Sequence, residues 1–486
     1  MDEESLKISL IRNNGDDEFA GDSPPIEGWR GLVQASWKES KKLWYLAGPA
    51  IFTSLCQYSI NAITQTFTGH IGDIELAAFS ITNSVIAGLS YGVMLGMGSA
   101  LETLCGQAFG AKQLKMLGVY MQRSSVILLV TACLMSSIYV WSEQILKLIG
   151  EEDEIAELAG KLSLWVLPQL FAYAMVFPLA KFLQAQSKVL VMAVIAGGAL
   201  IVHVIFSWLL IFKWGCGLWG AALMVDISWW MIVLAQMAYI LSGTCKEAWG
   251  GFTWAAFRNL GAFLRLSLAS GVMLCLECWY LNLLILLAGY LSNPKIAVDA
   301  ISICMNLMGW ELMISLGFNT AISVRVSNEL GAGHPRAAKF AVYTVLATML
   351  MIGAILMVVI FITRNEFAVA FTNSEEVMKA VSKLAPLLAF TMLLNSIQPV
   401  FGGVAVGAGW QALVAYINLA SYYIFGVPLG CFLGYYFDFG VKGIWAGMIC
   451  GTTLQTIILC FVTFKTKWNR ESSQAIEKIK AWAERT

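Results

Sequence analysis

Long apolar runs separated by short polar segments dominate the chain between about residues 44 and 463. Each run approaches the roughly 20 apolar residues that an α-helix needs to cross the hydrocarbon core of a bilayer. Twelve runs can be distinguished, at about 44–66, 76–98, 118–141, 162–183, 189–212, 218–241, 262–288, 296–320, 340–362, 384–404, 411–434 and 441–463. The pattern therefore predicts an all-α integral membrane protein with twelve transmembrane helices.

The segments outside these runs are polar. Residues 1–28 are acidic and have no apolar stretch of the kind found in a secretory signal, which predicts a disordered cytosolic tail. Residues 29–44 mix tryptophan with lysine and arginine, as is typical of a helix at the membrane interface. We assign residues 1–43 to this tail and interfacial helix. Residues 465–486 are predicted to form a cytosolic tail that lies on the surface.

Composition supports the membrane assignment and excludes several partners. Of the 486 residues, 58% are hydrophobic and only 13% are charged, whereas soluble domains carry about 25% charged residues. The net charge is zero and there is no basic tail, so nucleic acid is not an expected partner. The eleven cysteines are scattered, and the pair Cys275 and Cys278 has no further ligand nearby in sequence. Neither a metal nor a cofactor is therefore predicted.

The distribution of lysine and arginine predicts the orientation. If both termini are cytosolic, the loops on the opposite side hold eight of the 31 basic residues, namely Lys147, Lys161, Lys213, Lys295, Arg364, Lys379, Lys383 and Lys442. The other 23 then lie on or near the cytosolic side, as the positive-inside rule requires. Both termini are therefore predicted to be cytosolic.

The two halves of the chain resemble each other. The segment GSALETLCGQAFGAKQ at 98–113 follows the second run, and NTAISVRVSNELGAGHP at 319–335 follows the eighth, about 221 residues later. Similarly, LAKFLQAQSK at 179–188 resembles GGVAVGAGWQ at 402–411. The shared order and the nearly constant offset indicate an internal duplication.

This duplication predicts two lobes of six helices each. The N-terminal lobe covers 44–241, a cytosolic linker covers 242–261 and the C-terminal lobe covers 262–464. Because six is an even number of spans, the two lobes share one orientation in the membrane. Such repeats are typical of transporters, which handle their substrate between the halves near the midplane.

Three carboxylates stand inside runs of the C-terminal lobe, and two of them, Glu277 and Asp299, lie on its outer side. Glu277, in LCLECWYLN, lies about 11 residues from the loop that begins at Gly289, and Asp299 lies about six residues past Asn293. At about 1.5 Å per residue their depths are roughly 16 and 9 Å. A charge at such depth is costly and usually marks a functional site. Because adjacent helices are expected to pack, we predict that both carboxylates share one water-filled cavity.

Neighbouring positions extend this predicted cavity. Asp299, Ser302 and Asn306 recur at i, i+3 and i+7, so they line one face of the eighth helix. Further candidates for the cavity wall lie near Glu277 on the seventh helix: Asn282, Trp279 and Tyr280. The two aromatic rings of this group are candidates to stack on a planar substrate.

A buried pair of carboxyl groups suits proton coupling. Burial and a nearby like charge both favour the neutral form of a carboxyl group. Glu277 and Asp299 could therefore bind and release a proton near physiological pH, and the change of charge would alter the packing of the helices. The alternative is a structural role, with each acid hydrogen-bonded to the backbone or to serine.

Other residues are candidates for conformational change or for packing. Glu311, near the cytosolic end of the eighth helix, is interpreted as either a gating or a packing residue. Pro178 and Pro399 are candidate hinges because proline bends a helix. Arg325 is interpreted as reaching lipid phosphates. His203, the one histidine within a run, is interpreted as a core residue, so no enzymatic activity is predicted.

Several segments resemble one family. GHIGDIELAA, GMGSALETLCGQAFGA, MLCLECWY, SVRVSNELGAGHPRAAKF and NSIQPVFGGVAVGAGWQ are similar to motifs of the multidrug and toxic compound extrusion (MATE) transporters, specifically of their plant branch. The resemblance covers about residues 45–465. It implies two six-helix lobes that work by alternating access and are coupled to protons or sodium, with an acidic site in the C-terminal lobe at Glu277.

The chain also departs from the pattern of this family. Asn282 and Asn306 stand where eukaryotic relatives often have acids, and Asn395 stands where many plant members have one. The resemblance therefore leaves Glu277 and Asp299 to carry proton coupling nearly alone.

A second departure lies in the first span. Bacterial members use an aspartate there, whereas this chain has only Gln57 and Asn61 in the corresponding segment. These two residues, together with Asn395 and Gln398 of the tenth span, are predicted to line the cavity.

The predicted function is a proton-coupled antiporter that exports organic solutes from the cytosol by alternating access. The resemblance suggests flavonoid glycosides, other secondary metabolites or xenobiotics as substrates and the vacuolar membrane as the location, with the plasma membrane as the alternative. The expected partners are the proton, a small organic substrate and membrane lipid, and the expected state is a monomer. The alternative function is an anion channel for chloride on the same fold.

Overall fold

The structure is a computed structural model that describes residues 22–23, 28–258, 260–288, 294–372 and 374–484. These residues form helices and no β-strand. The α-helices, numbered in chain order, are α1 Gly28–Gly69, α2 Asp73–Ile81, α3 Gly88–Gly110, α4 Leu114–Val140, α5 Ser142–Ile149, α6 Asp153–Trp165, α7 Leu167–Ala185, α8 Val189–Trp208, α9 Gly217–Tyr239, α10 Leu260–Ala288, α11 Pro294–Gly331, α12 Pro335–Thr363, α13 Glu375–Ala408, α14 Gln411–Asn418, α15 Val427–Cys431, α16 Gly440–Lys465 and α17 Trp468–Glu484.

Shorter helical segments continue or connect these elements. Turns of π-helix occur at Thr82–Ala87, Leu209–Lys213, Ile240–Thr244, Leu419–Gly426 and Phe432–Tyr436. Short 3-10 helices occupy Trp254–Phe257 and Phe367–Ala370. The predicted loop at Gly289 and most of the predicted N-terminal tail lie outside the described residues.

The predicted spans are confirmed as helices. Ten helical segments of the described chain are long and apolar enough to cross a membrane, and the pair α6–α7, bent by 47°, adds an eleventh. The remaining predicted run, 44–66, forms the second part of α1, a helix of 42 residues that is long enough to cross. Polar residues such as Gln57 and Asn61 make this run less apolar than the others. The all-α membrane fold follows from these helices.

The two lobes pack together through matching pairs of helices. We use N-terminal lobe for α1–α9 and C-terminal lobe for α10–α16. Helix α1 packs against α11, and α3 packs against α10. Because α1 corresponds to α10 and α3 to α11 in the repeat, each contact is the counterpart of the other. This exchange confirms the predicted parallel duplication.

Charged side chains fasten the start of α1 to the C-terminal lobe. The Arg325 guanidinium donates to Glu39 Oε1 at 2.9 Å and lies 2.7 Å from Glu329. The interpretation that Arg325 reaches lipid phosphates is therefore wrong, because both carboxylates are protein partners within its reach. The neighbouring helix α12 is capped by Asp22, which accepts hydrogen bonds from the backbone N–H groups of Arg336 and Ala337.

Candidate functional site

A cavity of about 350 Å³ lies between the two lobes. Its N-terminal wall is formed by Ser54, Gln57, Tyr58, Asn61, Asn83, Ala87, Gly88, Tyr91, Gly92, Leu95, Tyr173 and Trp229. Its C-terminal wall is formed by Leu274, Glu277, Cys278, Tyr280, Leu312, Met313, Leu316, Asn395, Gln398, Pro399, Tyr422 and Thr452. Each lobe therefore contributes half of the lining, although the two halves differ in chemistry.

The N-terminal wall carries a cluster of aromatic rings. Tyr173 and Trp229 meet edge to face with centroids 4.8 Å apart, and Tyr91 lies 5.3 Å from Tyr173 in the same geometry. Phe177 completes the cluster at 5.4 Å from Tyr91. Edge-to-face packing fixes the orientation of such rings. This wall offers a rigid aromatic surface to any molecule in the cavity.

The C-terminal wall carries the acid. Glu277 is the one carboxylate among the described residues that line this cavity. Its Oε1 accepts a short hydrogen bond from Gln398 Nε2, which links α10 to α13. Nearby, Tyr280 stacks on Tyr422 with centroids 4.2 Å apart and donates its hydroxyl hydrogen to the Met448 carbonyl. The acid is thus held by an amide donor in a wall that packing makes rigid.

A second chamber of about 140 Å³ continues the cavity along the lobe interface. The two spaces share residues of both lobes, including Gln57, Tyr91 and Glu277. The new lining includes a buried ion pair in which Lys181 Nζ lies 2.6 Å from Glu102 Oε2. Because each charge has its partner, the pair adds polarity to the chamber without adding net charge.

The lobes close on each other beyond this second chamber. We call this contact the seam and define it as Gly106–Gly110 at the end of α3 against Ser327–Gly331 at the end of α11. A Cβ on Gly110 would lie 2.0 Å from the Asn328 carbonyl oxygen, and one on Gly331 would lie 2.1 Å from the Gln107 carbonyl oxygen. Only glycine lets the two backbones approach this closely.

Hydrogen bonds between the lobes surround the seam. Gln107 Nε2 donates to the Gly407 carbonyl at 3.2 Å, and Asn328 Nδ2 donates to the Ala185 carbonyl at 3.2 Å. Thr103 Oγ1 donates to the Val406 carbonyl in a further short bond and accepts from Gln411 Nε2 at 2.7 Å. The cavity is therefore closed toward the seam.

The structure places about half of the predicted site residues in the cavity wall. These are Glu277, Tyr280, Asn395, Gln398, Gln57, Asn61 and Pro399. Residues from the first, seventh and tenth predicted spans thus meet in one space. Their roles in transport stay predictions.

Asp299 does not share this cavity with Glu277. Its side chain is exposed, and it is not part of the lining. The residues of α11 that line the cavity with Glu277 include Leu312 and Met313, which are about 20 Å along the helix from Asp299 at 1.5 Å per residue. The predicted shared pocket is not seen in the described part of the chain, where α10 and α11 contact each other only to a small extent. Helix α11 packs mainly against α13 and α1.

Four other predicted lining residues also lie outside the cavity wall. Asn306 is exposed and Ser302 is half-buried on α11, and neither is part of the cavity lining. Trp279 is 49% exposed, so it offers no enclosed face for a substrate. Asn282 is exposed and donates to the Cys278 carbonyl at 3.2 Å.

The candidate gating residues have different surroundings. Glu311 is only 3% exposed and lies inside the C-terminal lobe, where Ser396 Oγ donates to its Oε1 at 2.8 Å. Pro178 is buried within α7, which continues through it. Pro399 lines both chambers and accepts a hydrogen bond from Asn319 Nδ2 at 2.7 Å.

Sequence reasoning missed most of the N-terminal wall. Tyr91 and Tyr173 were not predicted, because tyrosine in an apolar run carries no signal that separates a cavity from a packed core. The ion pair of Glu102 and Lys181 was missed because its partners lie on different helices and 79 positions apart. Only the fold brings them together.

The histidine of the fifth predicted span is a packing residue, as predicted from the sequence. His203 is fully buried, with ring nitrogens 2.9 Å from Thr64 Oγ1 and 2.8 Å from Ser228 Oγ. These contacts tie α8 to α1 and α9, away from the cavity lining.

Comparison with known proteins decides the family. The family model MatE matches residues 49–209 and 269–432, one block in each lobe. The chain belongs to the MATE family. Protein DETOXIFICATION 33 of Arabidopsis thaliana is 57% identical over 447 residues, which cover 92% of each chain. Protein DETOXIFICATION 29 of Arabidopsis thaliana is 56% identical over 461 residues, covering 95% of this chain and 92% of the relative.

Solved structures agree with the fold. The crystal structure of the eukaryotic MATE transporter AtDTX14 matches with a TM-score of 0.87 and 35% identity, covering 91% of this chain and 99% of that one. A variant of the Vibrio cholerae MATE transporter VcmN matches with a TM-score of 0.81 at 17% identity, covering 90% of this chain and all of that one, which supports the fold alone. The resemblance to plant MATE transporters is confirmed. This family consists of transporters rather than enzymes.

Proposed function

We propose that this MATE protein is a proton-coupled antiporter that moves amphipathic organic solutes by alternating access. The observation that carries the proposal is the single carboxylate of the cavity, Glu277, facing an aromatic wall in a space that is closed toward the seam. A transported molecule with an aromatic body and a hydrogen-bond donor fits these two walls. The volume of about 350 Å³ lies within the usual range for small-molecule sites.

Glu277 can couple the flux of protons to the flux of solute, because the proton and the solute compete for its carboxylate. When it is charged, its oxygens accept hydrogen bonds from Gln398 and from a donor group of the solute. When it binds a proton, it loses its charge and holds the donor less strongly. Proton binding on one side of the membrane would therefore release the solute there, and proton loss on the other side would restore the site. One titratable group suffices for this exchange.

The distribution of charge and the relatives support a proposal for the direction and location of transport. The positive-inside rule predicts cytosolic termini, and the seam lies at the end of the bundle that holds the described terminal segments 22–23 and 468–484. We propose export from the cytosol into the vacuole, with flavonoid glycosides and other secondary metabolites as candidate solutes. The similar proteins named DETOXIFICATION fit the broader export of xenobiotics. We propose a monomer as the working unit.

Uptake into proteoliposomes under an imposed pH gradient tests this proposal. A fluorescent flavonoid glycoside should accumulate only when the gradient is present, and the Glu277→Gln variant should accumulate no more than empty vesicles. Glu157→Gln is the matched control, because Glu157 is an exposed surface residue paired with Lys161. Undiminished uptake by the Glu277→Gln variant would refute the coupling role.

Electrical recording on the same vesicles separates the antiporter from the chloride channel. The one lysine in the lining of the second chamber, Lys181, is neutralised by Glu102, so the described lining offers no free cation to an anion. We expect no current that follows the chloride gradient. A chloride current that persists in the Glu277→Gln variant would favour the channel.

A further inference from the structure

The C-terminal helix α17 has one buried face. Trp468, Ser472, Ala475 and Ile479 are each at most 5% exposed. Their spacing of four, three and four residues places them on a single stripe of the helix. The intervening residues Glu477 and Lys478 are exposed, so α17 is an amphipathic helix whose stripe from Trp468 to Ile479 is docked on the protein.

The first part of this stripe is bound to the C-terminal lobe. Trp468 and Ala475 belong to an apolar core that includes Leu330 of α11 and Ala338 of α12. Ser472 Oγ donates to the Leu330 carbonyl at 3.0 Å. The neighbouring Glu471 accepts a hydrogen bond from Trp410 Nε1 at 2.9 Å. Several independent contacts therefore hold α17 on this lobe.

The last part of the stripe is bound to the N-terminal lobe. Ile479 is fully buried and belongs to the apolar core of that lobe, together with Leu104 and Ala108 of α3. Ile476 and Lys480 border a cleft that Gly110 and Gly331 also line. Helix α17 thus lies across the seam, with anchors on both sides of it.

We propose that α17 is a latch that stabilises the state closed at the seam. Alternating access requires the ends of α3 and α11 to separate, because they close the cavity on this side. A single helix cannot remain docked on both lobes when they move apart. The anchor on the N-terminal lobe is the smaller one, so Ile479 leaves its pocket while Trp468 and Ser472 stay bound. Release of α17 from α3 is therefore a step of seam opening.

The latch rests on the alternating access of the proposed function and not on proton coupling or on the identity of the solute. It is tested through the distance between the lobes, which needs no substrate. Spin labels on genetically encoded amino acids replace Lys115 and Lys339, two exposed residues on opposite sides of the seam. Pulsed dipolar spectroscopy of the full-length protein in nanodiscs then gives the populations of short and long distances.

Two variants disrupt the latch. A chain that ends at Lys467 lacks α17, and Ile479→Asn removes only the anchor on the N-terminal lobe. Both should raise the ratio of long to short distances by roughly tenfold or more, the size expected when one isoleucine loses its apolar burial. Lys478→Asn is the matched control, because it introduces the same side chain on the exposed face and should leave the distribution unchanged.

A second label pair reports on the fold itself. Labels at Lys339 and Lys379 lie within the C-terminal lobe and should keep their distance in every variant. If the shortened chain fails to fold, the test of the latch rests on Ile479→Asn alone. Unchanged populations in Ile479→Asn, or an equal shift in Lys478→Asn, would overturn the latch. If the latch is upheld while Glu277→Gln still transports, the proposed proton coupling fails and the latch stands.

Discussion

The seam and the cavity lie next to each other at the same lobe interface, yet only the seam keeps the symmetry of the duplication. Gln107 and Asn328, about 221 residues apart, each donate to a carbonyl of the opposite lobe at the same distance of 3.2 Å. A Cβ placed on Gly110 would lie 2.0 Å from a carbonyl oxygen of the opposite lobe, and a Cβ placed on Gly331 would lie 2.1 Å from the equivalent oxygen. In the cavity, by contrast, the counterpart of Glu277 in the other lobe, 221 residues earlier, is Cys56. The acid therefore has no equivalent in the N-terminal lobe.

This difference indicates that closing a gate and binding a solute place different requirements on the lobe interface. A gate between two similar lobes closes well when each lobe offers the other the same contact, because both halves then part together. A binding site for an asymmetric solute has no such need. One lobe supplies the edge-to-face cluster of Tyr91, Tyr173 and Trp229. The other lobe supplies Glu277 beside a stacked pair of tyrosines. The duplication therefore retains its symmetry at the seam and loses it in the lining of the cavity.

The largest expected effect comes from breaking the seam. Gly110→Ala and Gly331→Ala each place a methyl group about 2 Å from a backbone carbonyl oxygen that cannot move without shifting a helix. Overpacking of this kind costs roughly 1–3 kcal/mol, which lowers the closed population by about five- to 150-fold. If the seam is symmetric, both variants shift the distances between the lobes equally.

Gly48→Ala is the matched control for these variants, because a Cβ at Gly48 of α1 meets no atom within 4 Å. Distances between labels at Lys115 and Lys339 measure the effect. A shift in only one of the two glycine variants would break the symmetric picture of the gate, and a shift in neither would show that the seam does not limit closure.

The second-largest effect is expected from a change in the C-terminal wall, and it tests whether the two walls of the cavity differ in chemistry. Gln398→Leu removes the amide that donates to Glu277. A hydrogen bond to a charged group contributes about 1.5–3 kcal/mol. Its loss destabilises the charged carboxylate, so Glu277 should keep its proton to higher pH. The pH dependence of uptake should move upward by roughly one to two pH units.

Asn61→Leu provides the comparison from the opposite wall, where Asn61 lines the cavity on α1. It should lower uptake without moving the pH profile, since it does not contact Glu277. Uptake measured at a series of pH values distinguishes the two. Equal shifts from both walls would mean that hydration of the cavity, rather than the amide of Gln398, sets the titration.

The sequence predicted the fold better than the site, and the reason is physical. A span is encoded by some 20 consecutive apolar residues, and the repeat by a constant offset, so both can be found along the chain. Glu277 could be found in the same way, since a carboxylate in an apolar run is conspicuous. Its partner Gln398 lies 121 positions away, and the aromatic wall has no charge to mark it.

Asp299 shows where reasoning along the chain fails. Its depth was predicted from its distance to the loop, on the assumption that α10 and α11 pack side by side. Helix α11 is 38 residues long, and among the described residues it packs far more on α13 and α1 than on α10. Depth along one helix therefore did not translate into proximity to the other. Contacts between helices, not hydropathy, decide which polar residues meet.

A smaller effect should come from the aromatic wall. Tyr91→Leu removes one ring that faces both Tyr173 and Trp229. Aromatic contacts contribute about 0.5–1.5 kcal/mol beyond burial, so the KM for an aromatic solute should rise roughly two- to tenfold while the pH profile stays fixed. Tyr416→Leu, at a residue 73% exposed outside the cavity, is the control. A rise in KM for a non-aromatic solute of the same size would argue against stacking.

The smallest effect is expected at Asp299. Its side chain is exposed and is not part of the cavity lining, and it lies about 20 Å along α11 from Leu312 and Met313, which line the cavity with Glu277. Asp299→Asn should therefore leave the pH profile of uptake unchanged, whereas the pocket predicted from sequence requires a shift. Uptake by Asp299→Asn and by the double variant with Gln398→Leu measures this directly. If the pH profile shifts in Asp299→Asn and this shift adds to that of Gln398→Leu, Asp299 takes part in the coupling mechanism. The contrast between one acidic wall and one aromatic wall would then no longer hold.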